Sequence, residues 1–514
     1  MKLSKLSFAV ATALTSSVTT SAFALDLYVD TKTKQIFAEP GKGRQKMGAF
    51  EKVEESTHTT SHSSNFVNQE HAIQATESEK SEIKKIEQDL ELKGNEIKAL
   101  EEHIAANKES AAKNDEKWFN KISLRGYTQL RFNQPLTGDR HATATDPELR
   151  TPGDGGVKDN AGFGFRRVRL VFSGDVNDYV SLYLQPDFAA SVSGGSDANN
   201  FVQLRDAYAD LAFDKKHEYR IRAGQSKVAF GWENLQSSQN RLTLDRADAL
   251  NSAVPSERDL GLFAYWSPSE VQKLWKDLAK KNLKTSGDYG VLGLGVYNGQ
   301  GLNRSETNDD LYLVAHSTYP IELNFLGSFF KGQVLEIGAD AISGKFNTPT
   351  ASITPFVGVD GFNGKTAFTP TSLGGKNGIR EERVGVHAVL FPQPFGLQTE
   401  WNWGEGGTLD TTQKKITSQG LSGGYVQAMY KIDKVLRSDD SIIPYAKWQT
   451  YDGAYKGANN APRVSVEEIE AGVEWQMMKA LELTVAYSTM DRTNVTNLGQ
   501  ASGDMIRTQL QWNY

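Results

Sequence analysis

The sequence predicts an all-β transmembrane barrel of about sixteen antiparallel strands, preceded by an N-terminal α-helical coiled coil. Three observations carry this. The chain opens with the pattern of a secretory signal, no later stretch reaches the roughly 18 apolar residues of a membrane-crossing helix, and from Ile122 onward hydrophobic residues recur at every second position. An exported chain without apolar helices is either soluble in the periplasm or a closed barrel, whose strands need only about 9 to 11 alternating residues each. Composition favours the barrel: 46 Gly, 18 Tyr and 9 Trp suit close strand contacts and aromatic girdles. The mean hydropathy of -0.49 fits too, because a barrel turns polar residues to its lumen and loops.

The signal spans residues 1–24. Lys2 and Lys5 form the basic start, Leu6 to Leu14 the apolar middle, and Ala22-Phe23-Ala24 the cleavage site. Thr15, Ser16, Ser17, Thr19 and Thr20 interrupt what a membrane anchor would keep apolar. With 57 basic and 63 acidic side chains the net charge is -6, and removal of Lys2 and Lys5 makes it -8. Such a balance argues against a nucleic-acid partner. The absence of cysteine excludes disulfides and thiolate metal sites.

Residues 25–68 form a periplasmic segment, with a short apolar alternation in Leu25 to Phe50 and a Ser/Thr/His-rich linker in Glu54 to Ser64 that includes His58 and His62. Residues 69–117 carry the coiled coil. Ile83, Ile86, Leu90, Ile97, Leu100 and Ile104 occupy a and d positions, with Lys93 the one polar d. Isoleucine at both positions favours bundles larger than dimers, hence a trimer. The alternative is one amphipathic helix lying on a domain.

Residues 118–514 form the barrel. In the first strand Leu124, Gly126, Thr128, Leu130 and Phe132 share the outer face, while Arg125, Tyr127, Gln129, Arg131 and Asn133 share the inner one. Similar alternation begins near residues 122, 163, 179, 202, 218, 259, 288, 310, 333, 380, 396, 420, 441, 466, 481 and 503. Connections alternate as well: 189–201 and 347–379 are long, whereas Asn177-Asp178, Lys215-Lys216 and Gln393-Pro394 are tight. A soluble sandwich would also alternate, but it would not bury Glu468, Glu470 and Glu474 on one face. The last strand puts Ile506, Thr508, Leu510, Trp512 and Tyr514 on the outer face, and closure against the first strand removes both edges.

Arg125, Arg131, Arg167, Arg169, Arg220 and Arg222 have lumen parity in the early strands. Forked, permanently charged donors can pass an anion from site to site. Glu336, Asp340, Glu400, Glu468, Glu470, Glu474 and Glu482 bring negative charge to the same lumen from the late strands. The two sets either create a transverse field or pair with one another. About thirty residues between Lys227 and Asp259, including Ser237, Ser238, Arg241 and Arg246, exceed a plain turn and suit a constriction loop folded into the lumen.

The run Phe163 to Leu170 with Gly174, then Arg205-Asp206-Ala207-Tyr208, Gly224-Gln225-Ser226-Lys227, Phe230-Gly231 with Glu233, and Ser237-Ser238 resembles the phosphate-selective porin O/P family. The resemblance covers Lys121 to Tyr514 and implies a trimeric sixteen-stranded barrel in the outer membrane of a Gram-negative bacterium. It implies that Arg166, Arg167, Arg220, Arg222 and Lys227 guide small anions to a constriction formed by Asn234, Ser237, Ser238, Gln239 and Arg241. Phosphate-selective members flank the Ser-Ser pair with lysines, and here Asn234 and Gln239 take those places; amides do not replace a lysine's charge, so the resemblance supports a pore for small anions, chloride and also phosphate or other oxyanions, more strongly than phosphate specificity. A general or sugar-type pore is the alternative, with Tyr425 as a stacking platform; Trp401 and Trp403 share parity with Leu397 and point outward as girdle residues. No catalytic motif, metal site or cofactor site is expected, and His316 and His387 read as structural.

Overall fold

The computed structural model describes residues 25–30, 36–37, 44–50, 77–115, 117–137, 149–155, 157, 161–191 and 199–514. The expected signal, the linker with His58, His62 and nearby His71, and the start of the expected coiled coil lie outside these residues. The chain divides into two units, residues 1–97 and 98–514. In the first, Leu25–Asp30 pairs antiparallel with Ile36–Phe37 and with Arg44–Phe50. Helix α1 (Glu77–Asp115) is unbroken over 39 residues. Its Ile and Leu seam is at least 51% exposed at each of the six expected positions, so the single chain leaves it uncovered.

The second unit is a closed antiparallel barrel. Its first eight strands are β1 (Ser123–Pro135), β2 (Gly162–Asn177), β3 (Val180–Ser191), β4 (Asn199–Ala212), β5 (Tyr219–Lys227), β6 (Arg258–Trp266), β7 (Leu292–Tyr297) and β8 (Tyr312–Glu322). The rest are β9 (Val334–Phe346), β10 (Ile379–Leu390), β11 (Phe395–Asp410), β12 (Lys415–Tyr430), β13 (Ser441–Ala454), β14 (Arg463–Met478), β15 (Leu481–Thr493) and β16 (Gln500–Asn513). The pattern of sixteen holds, and the expected start farthest from the observed one is 420 against Lys415. That strand begins Lys415-Ile416-Thr417-Ser418-Gln419, where too few apolar residues mark an outer face. No described helix is long and apolar enough to cross a membrane.

β16 closes on β1 with Leu510 opposite Leu130 and Gln509 opposite Arg131. Tyr514 and Gly126 exchange two backbone hydrogen bonds of 2.6 and 2.9 Å. A Cβ on Gly126 would lie 2.4 Å from the Tyr514 ring and 2.4 Å from the Arg169 carbonyl, so only glycine lets the terminal ring approach the seam. Leu124, Phe163, Leu262, Leu294, Leu313 and Trp403 are exposed on the outer face, while Tyr127, Gln129 and Arg131 are buried inside. Trp401 packs outside between Trp403 and Trp448, at ring centroid distances of 6.5 and 6.3 Å.

Two departures from plain alternation shape the interior. Gln129 pairs with Arg167 while Leu130 pairs with Phe165, which leaves Arg166 as the extra residue of a bulge. Likewise Gln185 pairs with Asp206 and Pro186 with Leu204, leaving Arg205 unpaired. Proline has no N–H for the ladder, so a break at Pro186 follows from its chemistry. A bulge lets adjacent residues turn the same way, which is how Arg166 and Arg167 both face inward. The second departure is a connection: residues 267–291 lie at the rim of the tight turns but include helix α2 (Ser269–Lys280).

Candidate functional site

Residues 228–257 fold into the lumen, as their length implied. Val228, Ala229, Phe230, Trp232, Leu235, Leu242, Leu244, Ala247 and Leu250 are all buried. Gly231, at φ +83°, makes the turn into a short helical stretch, Trp232–Leu235. Late-strand carboxylates hold this turn. Glu400 accepts the backbone N–H groups of Trp232 and Glu233 and the Tyr425 hydroxyl, each at 2.6 Å. Asp340 accepts the Gly231 N–H at 3.0 Å, and Glu336 accepts the indole N–H of Trp232 at 2.8 Å.

The connection carrying α2 forms a second inserted segment. Val271, Trp275 and Leu278 fall at i, i+4 and i+7, so one helical face is apolar; it packs with Trp232, Val334, Val389 and Phe391. The Trp275 indole donates to the second oxygen of Glu336 at 2.9 Å. Lys284 reaches Glu474 at 2.7 Å and Glu482 at 3.0 Å. Gln236 donates to the Lys284 carbonyl at 2.9 Å and ties the two segments together. Five of the seven expected lumen carboxylates therefore anchor the inserted segments, Asp340 and Glu400 through backbone N–H groups and Glu336, Glu474 and Glu482 through side chains, and neither a transverse field nor a simple pairing with the early arginines describes them.

The early arginines divide into two groups. Arg131 meets Asp154 at 2.7 Å and Asp245 at 3.0 Å, Arg166 lies 3.9 and 3.6 Å from the same two carboxylates, and Arg507 joins them. Arg222 grips Asp210 through two hydrogen bonds of 2.7 and 2.8 Å, and Arg220 donates to Asp288 at 2.8 Å. With Glu470, 3.7 Å from Arg507, five carboxylates neutralise these five arginines. Arg167 has only the Gln129 side chain, at 2.8 Å, and Arg205 only Gln203 at 3.2 Å and the Ser256 carbonyl at 3.4 Å. Among the described residues neither has a carboxylate within 4 Å, and Arg125 is likewise without one.

Around Arg167 the balance is positive. Arg169 pairs with Asp187 at 2.7 Å, Arg258 with Asp206 at 2.9 Å, and Glu257 is shared by Arg258, Arg246, Lys227 and Arg241. Counted with Arg167 and Arg205, seven cations face three carboxylates. Burial pushes the Glu257 carboxyl up, but Arg246, Lys227, Arg258 and Arg241 outweigh it and hold it well below the usual carboxylate range. Buried donors remain without acceptors: Nε of Arg167, Nε of Arg205, and Nε and Nη2 of Arg241. Unsatisfied buried donors beside a surplus of positive charge can accept an anion.

The remaining expected residues are braces. Lys227 spends its ammonium on the carbonyls of Asn234, Leu235 and Gln236 at 2.9, 3.2 and 2.6 Å. Asn234 donates to Phe230 and Leu250 and accepts from Arg246. Ser238 takes the Arg169 guanidinium at 3.0 Å and the Tyr127 hydroxyl at 2.6 Å, while Ser237 and Gln239 stay half-buried beside it. Tyr425 is fully buried under Glu400, which closes it to a sugar ring. His387 bonds Thr318 at 2.9 Å and His316 bonds Asp340, as structural histidines do. Sequence reasoning missed Asp154, Asp245 and Glu257, which lie in connections where strand parity says nothing. It also passed over Asp210, which parity could have found beside Tyr208. No group of three or more His, Asp or Glu among the described residues can hold a metal ion.

A family model described as phosphate-selective porin O and P matches residues 138–514. No curated protein matches the chain. Among solved structures, the outer membrane channel DcaP of Acinetobacter baumannii is similar at 13% identity and a TM-score of 0.42, over 76% of this chain and 97% of that one. OmpT of Vibrio cholerae in its trimer form gives 10% identity and 0.42 over 76% and 99%. The anion-selective porin from Comamonas acidovorans gives 10% and 0.40 over 76% and 99%.

Proposed function

The chain belongs to the phosphate-selective porin O and P family, and we propose from that premise that its barrel is a passive pore for small anions. Chloride is the favoured solute, with phosphate and other oxyanions held weakly and no chemistry performed on them. The observation that carries this is the cluster around Arg167, where seven cations share three carboxylates and donors on Arg167, Arg205 and Arg241 stay unmet. Weak, repeated sites of this kind favour selective conduction. Asn234 supports weak phosphate binding, because its amide is used up inside the constriction segment and adds no charge. We further propose a homotrimer in the outer membrane, its uncovered α1 seams packed together as a periplasmic coiled coil.

The test is the reversal potential of single channels under a KCl gradient. Chloride should permeate faster than potassium. One charge acting through water at about 7 Å contributes ~0.6 kcal/mol of attraction for chloride and as much repulsion for potassium, so Arg167→Gln should lower the chloride to potassium ratio about sevenfold. A cation-preferring native channel would overturn the anion reading in favour of a general porin, and block by maltodextrins would favour the sugar pore.

A further inference from the structure

Beside the constriction, the wall formed by β1, β3, β4 and β5 and the stretch after α2 encloses a cavity of about 300 Å³. Its lining is aromatic as well as charged. Tyr183 and Tyr208, paired across β3 and β4, stack with centroids 5.0 Å apart and planes 7° from parallel. The Arg222 guanidinium lies 3.9 Å from the Tyr208 centroid and 5.4 Å from that of Tyr289, which the inserted stretch supplies. Arg125 stands 6.0 Å from the Tyr183 centroid, is exposed to the lumen, and has no carboxylate partner among the described residues.

The other charges of the cavity are committed. Arg222 is held by Asp210, Asp288 by Arg220, and Arg258 and Asp206 by each other. One free guanidinium therefore lies beside the Tyr183 ring, which Tyr208 backs on its other side. Phosphate or chloride would use only the charge. A planar ring bearing a carboxylate would use both, since offset ring pairs attract at centroid separations of about 4.5 to 7 Å and a guanidinium fork matches a carboxylate.

We propose that this cavity is a resting site for aromatic carboxylates on their way through the pore, with the ring on the face of Tyr183 that Tyr208 backs and the carboxylate accepting from Arg125. The proposal rests on the anion-pore reading above and names a solute class for it. Benzoate and cyclohexanecarboxylate have the same charge and carbon count but differ in ring electrons, so their potencies as blockers of chloride current in planar bilayers isolate the stacking.

Benzoate should reach half-block at about fivefold lower concentration than cyclohexanecarboxylate. The ratio of the two, taken within each variant, is independent of overall conductance. Tyr183→Leu combined with Tyr208→Leu should bring it close to one; Tyr289→Leu, which leaves the barrel wall intact, should reduce it and serves if the double variant does not insert. Arg125→Gln should weaken both blockers together and keep the ratio. Equal potencies in the native channel, no block by benzoate, or a ratio indifferent to the tyrosines would overturn the proposal. With an anion-selective reversal potential, these outcomes remove the aromatic site alone; a cation-selective potential removes the anion reading beneath it.

Discussion

Replacing Glu400 by Ala should release the constriction segment while the barrel stands. Three donors, the N–H groups of Trp232 and Glu233 and the Tyr425 hydroxyl, converge on this one carboxylate at 2.6 Å each. A buried donor left without an acceptor costs about 1 to 3 kcal/mol. Three of them at the low end, appropriate where lumen water can re-enter, destabilise the seated segment by about 3 kcal/mol, or roughly a hundredfold in the released population. Remaining anchors at Asp340 and Glu336 keep the segment near its place, so the expected state is a segment that samples the lumen. In planar bilayers the variant should show larger and noisier open-channel currents with frequent closures. Glu400→Gln retains one acceptor and should fall between the two. Heat-modifiable gel migration should stay native, because strand pairing is untouched. Currents of native amplitude and noise would refute the anchoring role given to the late-strand carboxylates.

Arg222→Ala should lower thermal stability in detergent by about 1.5 to 3 kcal/mol, the range for a charge-assisted hydrogen-bonded partner, because Asp210 loses two hydrogen bonds. Adding Asp210→Ala restores neutrality and removes the orphaned carboxylate, so the double variant should recover native ion selectivity and part of the lost stability; a selectivity that stays shifted would mean that Arg222 acts on ions as an unpaired charge. The third expectation concerns pH. Glu257 is held below its ordinary range by four cations, and a depressed carboxyl contributes stability that is full above the unfolded value of about 4.3 and is lost as pH falls through the folded value. The difference in channel noise between the native protein and Glu257→Gln should therefore be constant from neutral pH to about 5 and disappear only below about 4; a difference that disappears near pH 6 would contradict the ion-pair cluster.

Strand number, outer and inner faces and the position of the constriction segment were legible along the chain, because each depends on period 2 or on segment length alone. Leu124 and Phe163 face outward, and Tyr127 and Arg131 inward, for no reason beyond the pleat of an extended backbone. Parity cannot say which charges meet, and here only the tertiary structure decides. Arg167 and Arg222 look alike in their strands, but Asp210 lies across from Arg222, and among the described residues no carboxylate reaches Arg167. The bulge that turns Arg166 inward needs the β1 register to be seen, and Pro186 alone hints at its counterpart beside Arg205. The insertion of α2 was equally hidden, since an amphipathic helix reads the same whether its apolar face covers a rim or enters a lumen. What settles it is three-dimensional: Trp275 and Trp232 come from different connections and share the single carboxylate of Glu336. Local repulsion and pleating act between neighbours in sequence and can be read there, whereas charge neutralisation acts between groups that only the closed barrel brings together.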